Sequence, residues 1–166
     1  MVAPFDLLRS GFPYYMTLGQ RRVTSNPMDI GFGKENVYVL TRGGLGNEVR
    51  VINWDDENLG TRGGASLFQW PVALLVDDEE NLYVSDEANH KIVIMDKEGE
   101  HIRSFGEQGS EAGQMDRPSG MVFDAEGNIS TYRLDVLDSV PWVSVSINET
   151  TGQLSISSVE NKSGSK

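Results

Sequence analysis

Pro71-Val-Ala-Leu-Leu-Val-Asp77, followed by Asp78-Glu-Glu80 and Asn81-Leu-Tyr-Val-Ser-Asp86, is the stretch whose reading decides the fold. It reads as a short apolar strand, an acidic turn, and a second strand in which Leu82 and Val84 alternate with Tyr83. The phrase recurs. Pro118-Ser-Gly-Met-Val-Phe-Asp124 leads through Ala-Glu-Gly to Asn128-Ile129. A looser copy, Pro27-Met-Asp-Ile-Gly-Phe32, leads through Gly-Lys-Glu to Asn36-Val-Tyr-Val-Leu40. The three prolines are 44 and 47 residues apart. A period in the forties with several strands per unit marks a propeller or another repeat array.

Working outward from Pro71, the unit predicts four strands: Val72–Val76, Asn81–Ser85, Lys91–Met95 and Glu100–Phe105. Asp96-Lys-Glu-Gly99 is a hairpin turn in which glycine supplies a positive φ. A lone four-stranded sheet of this size cannot bury both faces, so the units must stack on one another. The first unit repeats the plan with strands at Met28–Phe32, Asn36–Leu40, Glu48–Ile52 and Asn58–Thr61. Tyr14-Tyr-Met-Thr-Leu-Gly19 resembles the end of a fourth strand, which suggests closure by strands from distant parts of the chain. The third unit starts well and loses the pattern after Ile129. Pro141-Trp-Val-Ser-Val-Ser-Ile147 and Gln153-Leu-Ser-Ile-Ser157 still alternate like a hairpin.

The expected fold class is therefore all-β: a β-propeller of four-stranded antiparallel blades, as a partial ring of about two to three blades. Residues 1–13 are an N-terminal extension and 14–129 the blades. Residues 130–160 are either a degenerate third blade or the start of a separate β module, and 161–166 are a frayed tail.

The chain has 166 residues, 38% of them hydrophobic, enough for one real core. It contains no cysteine, which excludes disulfides and thiolate metal sites. A net charge of −11 argues against binding nucleic-acid backbone or anionic membrane. The N-terminus carries Asp6 and Arg9 within its short apolar stretch and does not read as a secretory signal. A cytoplasmic location is the default, with an extracellular one left open.

Asn81-Leu-Tyr-Val-Ser-Asp86, Asn89-His-Lys-Ile92, Val93-Ile-Met-Asp96, Gly99 and Ile102-Arg-Ser-Phe-Gly106 together resemble an NHL repeat. Gly109, Gly113-Gln114, Pro118-Ser-Gly120 and Phe123-Asp124 extend the likeness. It is strong over 71–129, weaker over 14–60 and lost after 130. The resemblance implies a propeller that is commonly six-bladed, which at this period needs roughly 270 residues. Self-association to complete the ring is one way to reconcile that size with this chain. The resemblance also implies a binding scaffold for a protein or other macromolecule. Propeller enzymes of lyase, lactonase or hydrolase type are the alternative, with a metal-dependent site in the central channel.

No catalytic constellation is complete in the sequence. Asp86, Asn89 and His90 match the repeat's own motif and read as loop braces that bond backbone amides. Two histidines and no cysteine make poor material for a zinc site, and no calcium loop is present. No catalytic residue, metal ligand or cofactor is therefore expected, with calcium or zinc entering only under the enzyme alternative. The repeated Thr-Arg-Gly-Gly at Thr41 and Thr61 reads as flexible loop or as paired anion-binding loops. In this strand order, Arg42, Asn47, Arg62, Asn89 and Arg117 fall on one face, opposite the acidic hairpins at 77–80, 96–99 and 124–127. These five are the ligand-face candidates.

Overall fold

In a computed structural model of the protein, residues 24–44, 46–111, 113–125 and 127–132 are described, with the backbone of strands 142–148 and 153–159. The expected extension at 1–13, the strand at 14–19 and the tail at 161–166 lie outside the described residues.

Strands β1 (Pro27–Phe32), β2 (Asn36–Thr41), β3 (Glu48–Asn53) and β4 (Asn58–Arg62) form one antiparallel sheet in chain order. Strands β5 (Pro71–Val76), β6 (Leu82–Asp86), β7 (Lys91–Met95) and β8 (His101–Phe105) repeat it. These are the two expected blades, with ends shifted by a residue at most. Strands β9 (Gly120–Phe123) and β10 (Ile129–Tyr132) pair antiparallel as the inner half of a third. Strand β10 forms although its sequence has lost the repeat pattern, because Ile129 still faces a core. Strands β11 (Trp142–Asn148) and β12 (Gln153–Val159) make the hairpin read from their alternation, and β11 runs beside β10.

Four hairpin turns, at 53–57, 77–81, 96–100 and 124–128, share one chemistry, whereas the β1–β2 turn takes its acceptor from Glu80 of the next blade. Asp77 Oδ1 accepts from the backbone N–H of Glu79 at 2.9 Å and of Asn81 at 2.7 Å. Asp124 accepts from Asn128 N–H at 2.8 Å, Asp96 from Glu100 N–H at 2.8 Å, and Asn53 from Glu57 N–H at 2.9 Å. A short acceptor side chain thus closes each turn on its own backbone. Asp77, Asp96 and Asp124 thus have a structural use for their charge. The residue just before the end of each turn is left-handed. Gly99 (φ 93°) and Gly127 (φ 83°) take that position without steric cost, whereas Asp56 and Glu80 (both φ 64°) do not.

The core lies between blades. Tyr38, Leu40, Val49 and Val51 of the first sheet pack against Leu74, Leu82, Val84, Val93 and Met95 of the second, with Phe68 from the connection. Tyr83, Ile92 and Ile94 pack in turn against Met115 and Ile129, with Met121 and Phe123 beside them. Burying each large apolar side chain stabilises by about 1.5–3 kcal/mol at most. Polar bonds lock the inner strands together. Asp29 Oδ2 accepts from Leu74 N–H at 2.8 Å, where β5 departs from regular register after its proline. Ser85 Oγ accepts from Ala73 N–H at 3.0 Å and donates to Ser119 O at 2.8 Å.

A second lock joins the first turns of the two blades. Glu80 is a buried residue, 7% exposed, and its carboxylate reaches the first blade. It accepts from the Tyr38 hydroxyl at 2.7 Å and from Glu35 N–H at 3.0 Å. Lys34 Nζ donates to Asp78 O at 2.6 Å across the same gap. Burial pushes the Tyr38 phenol up to about 12, with Glu80 adding to the rise. For Glu80, burial works against the charged form, but Glu35 N–H, the Tyr38 hydroxyl and Lys34 N–H outweigh it and hold the carboxyl below 4.5.

Candidate functional site: the loop face

Three segments meet at one end of the first two blades: the β2–β3 loop, the 63–70 connection and the β6–β7 loop. Asp86 organises them from a fully buried position. Its carboxylate accepts from Gln69 N–H at 2.7 Å, Trp70 N–H at 2.8 Å, Asn89 N–H at 3.3 Å and Asn89 Nδ2 at 2.6 Å. Glu87 N–H also donates to Trp70 O at 3.0 Å. The bracing role expected for Asp86 and Asn89 is what their geometry shows.

Asn47 ties the next segment in. Its Oδ1 accepts from Gly43 N–H at 2.9 Å and its Nδ2 donates to Gln69 O at 2.9 Å. The anchored loops set Arg42 over the ring of Trp70, with the guanidinium carbon 4.3 Å from the ring centroid. Trp70 is 49% exposed, so this cation–π plate faces solvent. Beside it lies a shallow cleft of about 480 Å³ between residues 65–69 and Asn47, Asn89 and Lys91.

Arg117 sits on the adjoining passage. Its Nη2 donates to Glu87 Oε1 at 2.6 Å, and its N–H donates to His90 Nδ1 at 3.2 Å. His90 Nδ1 is also 3.1 Å from Asp116 Oδ1. Arg42, Asn47 and Asn89 thus come together around Trp70, and Arg117 is tied to the same loops through Glu87.

Arg62 leaves this group, which corrects the expected five-residue face. It ends an outer strand rather than lying in a loop, and its side chain runs to the next blade's acidic hairpin. Nε donates to Lys97 O at 2.7 Å, and the side chain lies against Gly99. The two Thr-Arg-Gly-Gly phrases therefore differ in use. At Thr41 the phrase follows β2 into a turn. At Thr61 it is strand end, and Gly63 is needed because a Cβ there would overlap the ring of Phe68.

Sequence reasoning missed Trp70 and Lys91. The signal for Trp70 was available: a large aromatic directly before the recurring proline, at a place where the chain must turn. Chemically, the face offers a guanidinium on an indole, an ammonium and a polar cleft. Among the described residues, no cluster of three or more His, Asp or Glu side chains could hold a metal ion.

No family model matches the chain. Solved structures do match by fold. A streptogramin B lyase superposes with a TM-score of 0.60 at 14% identity, over 84% of this chain and 42% of that one. A virginiamycin B lyase from Staphylococcus aureus matches with a TM-score of 0.59 at 15% identity, over 89% of this chain and 45% of that one. The Kuenenia stuttgartiensis hydrazine synthase matches with a TM-score of 0.59 at 14% identity, over 80% and 37%. The fold is a β-propeller. The chain spans less than half the length of these propeller chains, and its two full four-stranded sheets are an arc of such a ring. At this identity the likeness concerns the fold alone.

Proposed function

We infer that the chain is an arc of an NHL-like propeller that binds a macromolecular ligand, protein or other polymer, on its loop face without catalysis. The observation that carries this reading is the Arg42–Trp70 plate, half-exposed yet held by Asp86 and Asn47. A tryptophan with a stacked arginine on a rigid base is the composition of a binding hot spot. Its backbone is fixed beforehand, so docking costs little ordering entropy. Lys91 at the cleft adds a cation, so the favoured ligand segment combines an apolar or aromatic group with a carboxylate.

A second reading takes its support from the lyases among the fold neighbours. Under it, the arc is part of an enzyme of lyase, lactonase or hydrolase type, with calcium or zinc held in the central channel by residues of several blades.

Peptide display against the wild-type chain, with counter-selection on an Arg42→Ala/Trp70→Ala variant, tests the binding reading. Selected peptides should carry an aromatic and an acid and lose about tenfold or more in affinity on the variant, the scale of a hot-spot truncation. Selected peptides that bind the variant equally well would remove the loop face from the proposal.

A further inference from the structure

One ring nitrogen of His90 faces two groups that make opposite demands on it. The backbone N–H of Arg117 donates to Nδ1 at 3.2 Å, which requires a lone pair there. The Asp116 carboxylate lies 3.1 Å from the same atom, which suits a proton there. A neutral imidazole with its proton on Nε2 serves Arg117 and sets a lone pair against the carboxylate. A protonated imidazole serves Asp116 and sets an N–H against the N–H of Arg117. No single charge state serves both neighbours.

The surroundings confine the choice to this atom. The His90 side chain is 18% exposed, and a Cβ on Gly106 would overlap both its backbone carbonyl and the Met115 sulfur. Met115 is buried in the second core, and its N–H donates to Glu107 O at 2.7 Å. The passage between blades is thus fixed as far as Met115, and Asp116 and Arg117 come next. His90 (φ 53°) and Arg117 (φ 52°) both hold left-handed backbone without being glycine. Such conformations persist only where the contacts around them enforce it. The bond from Arg117 N–H to Nδ1 ties these two strained residues to each other. The other charged groups of the loop and passage are engaged or face solvent. Asp86 is held by the amides of Gln69 and Trp70, and Glu87 by Arg117. Glu107 and Glu111 are exposed, and Lys91 lines the cleft.

We propose that His90 is a proton-operated switch between the β6–β7 loop and the 106–117 passage. With the ring neutral, Nδ1 holds Arg117 in its left-handed conformation. When solvent delivers a proton to Nδ1, Arg117 N–H loses its acceptor and the new ring N–H donates to the Asp116 carboxylate. Loop and passage stay joined in both states, through different atoms. Histidine is the side chain whose charge changes in the range of about pH 5 to 8, so those limits compare the two states. Arg117 reaches the loop face through Glu87, and His90 stands between Asn89 and Lys91 of the cleft. The protonated state therefore brings one more positive charge to that face. This last consequence rests on the loop-face reading, whereas the exchange of partners at His90 does not.

Nuclear magnetic resonance of the wild-type chain at about pH 8 and about pH 5 tests the switch without any ligand. Protection of the Arg117 amide from solvent exchange, corrected for intrinsic pH dependence, should be about threefold to tenfold lower at the acid limit, the scale of one lost hydrogen bond. The side-chain carboxyl carbon of Asp116 should shift along the titration curve of the His90 ring. His90→Asn offers a neutral acceptor close to the place of Nδ1 and tolerates left-handed backbone, so both changes should be absent from it over the same range. Equal protection of Arg117 at both limits in the wild-type chain would overturn the proposal. So would an Arg117 amide that keeps its pH dependence in His90→Asn, since another group would then be the cause.

Discussion

Replacing Glu80 with glycine separates two opposing effects whose sizes can be worked from the structure. Glu80 occupies the left-handed position of its turn, where the matching residues Gly99 and Gly127 carry no side chain. Glycine there would recover about 1–2 kcal/mol of backbone strain. The same change deletes the carboxylate that accepts from Tyr38 and Glu35 across the blade boundary. Hydrogen bonds to a charged group contribute about 1.5–3 kcal/mol each, and the buried Tyr38 hydroxyl would be left without its acceptor. The loss is about 3–5 kcal/mol and the net effect about 1–4 kcal/mol destabilising. Urea unfolding followed by circular dichroism reads it. Combination with Tyr38→Phe in a double-mutant cycle should show coupling of about 1 kcal/mol or more between the two sites. An unchanged or raised unfolding free energy for Glu80→Gly would mean that the turn tolerates glutamate for no structural return, and the lock would be void. Acidity supplies an independent readout. Because Glu80 ionises more readily when folded, its contribution is complete above pH 4.5 and is lost as pH falls through its lower folded value. The acid limb should be shallower in Glu80→Gly than in wild type.

Tyr38 governs the alkaline limb with the opposite sense, because the fold favours its neutral phenol. Stability should begin to fall above pH 10 and continue falling to about pH 12 as tyrosinate becomes favoured only in the unfolded chain, an effect that Tyr38→Phe abolishes in a pH series of urea midpoints. Asp86→Ala should cost about 3–5 kcal/mol, since two backbone amides and Asn89 lose their buried acceptor; a melting temperature within two or three degrees of wild type, about 1 kcal/mol or less, would contradict that role. Gly31→Ala should cost about 1–3 kcal/mol through its overlap with Val76, measured by urea unfolding. Arg42→Ala should cost under about 1 kcal/mol, since its partner ring is solvent-exposed, and a larger loss would show the plate to be part of the framework.

The strands of the first two blades were legible because their apolar residues alternate between two cores, and because the turns at 53–57, 77–81 and 96–100 each have their own short acceptor. Asp77 and Asn81 announce a turn through contacts that span four residues, so a local reading suffices. Strand β10 was harder. Its sequence keeps Ile129 and loses the rest of the phrase, and pairing with β9 makes up the difference. At the candidate site, Asp86 and Asn89 were readable as braces because their bonds are local. Arg62 was misplaced because its partner lies 35 residues away, at the hairpin of another blade, and loop order alone does not place a long side chain. Glu80 was invisible for the same reason. Nothing in an acidic turn distinguishes a carboxylate that faces water from one that reaches the neighbouring blade.

The four self-closed turns also bear on how the chain folds in time. Their bonds link residues four apart, whereas the Glu80 lock joins residues 42 and 45 apart. Hairpins with short closures form in about 1–10 µs, long before contacts of such separation can repay their loop entropy. Individual blades should therefore take shape first and stack afterwards, with the lock among the last contacts made. Interactions absent from the transition state act mainly on the unfolding rate. Glu80 would then set how long a stacked pair of blades survives, and have little influence on how quickly it assembles.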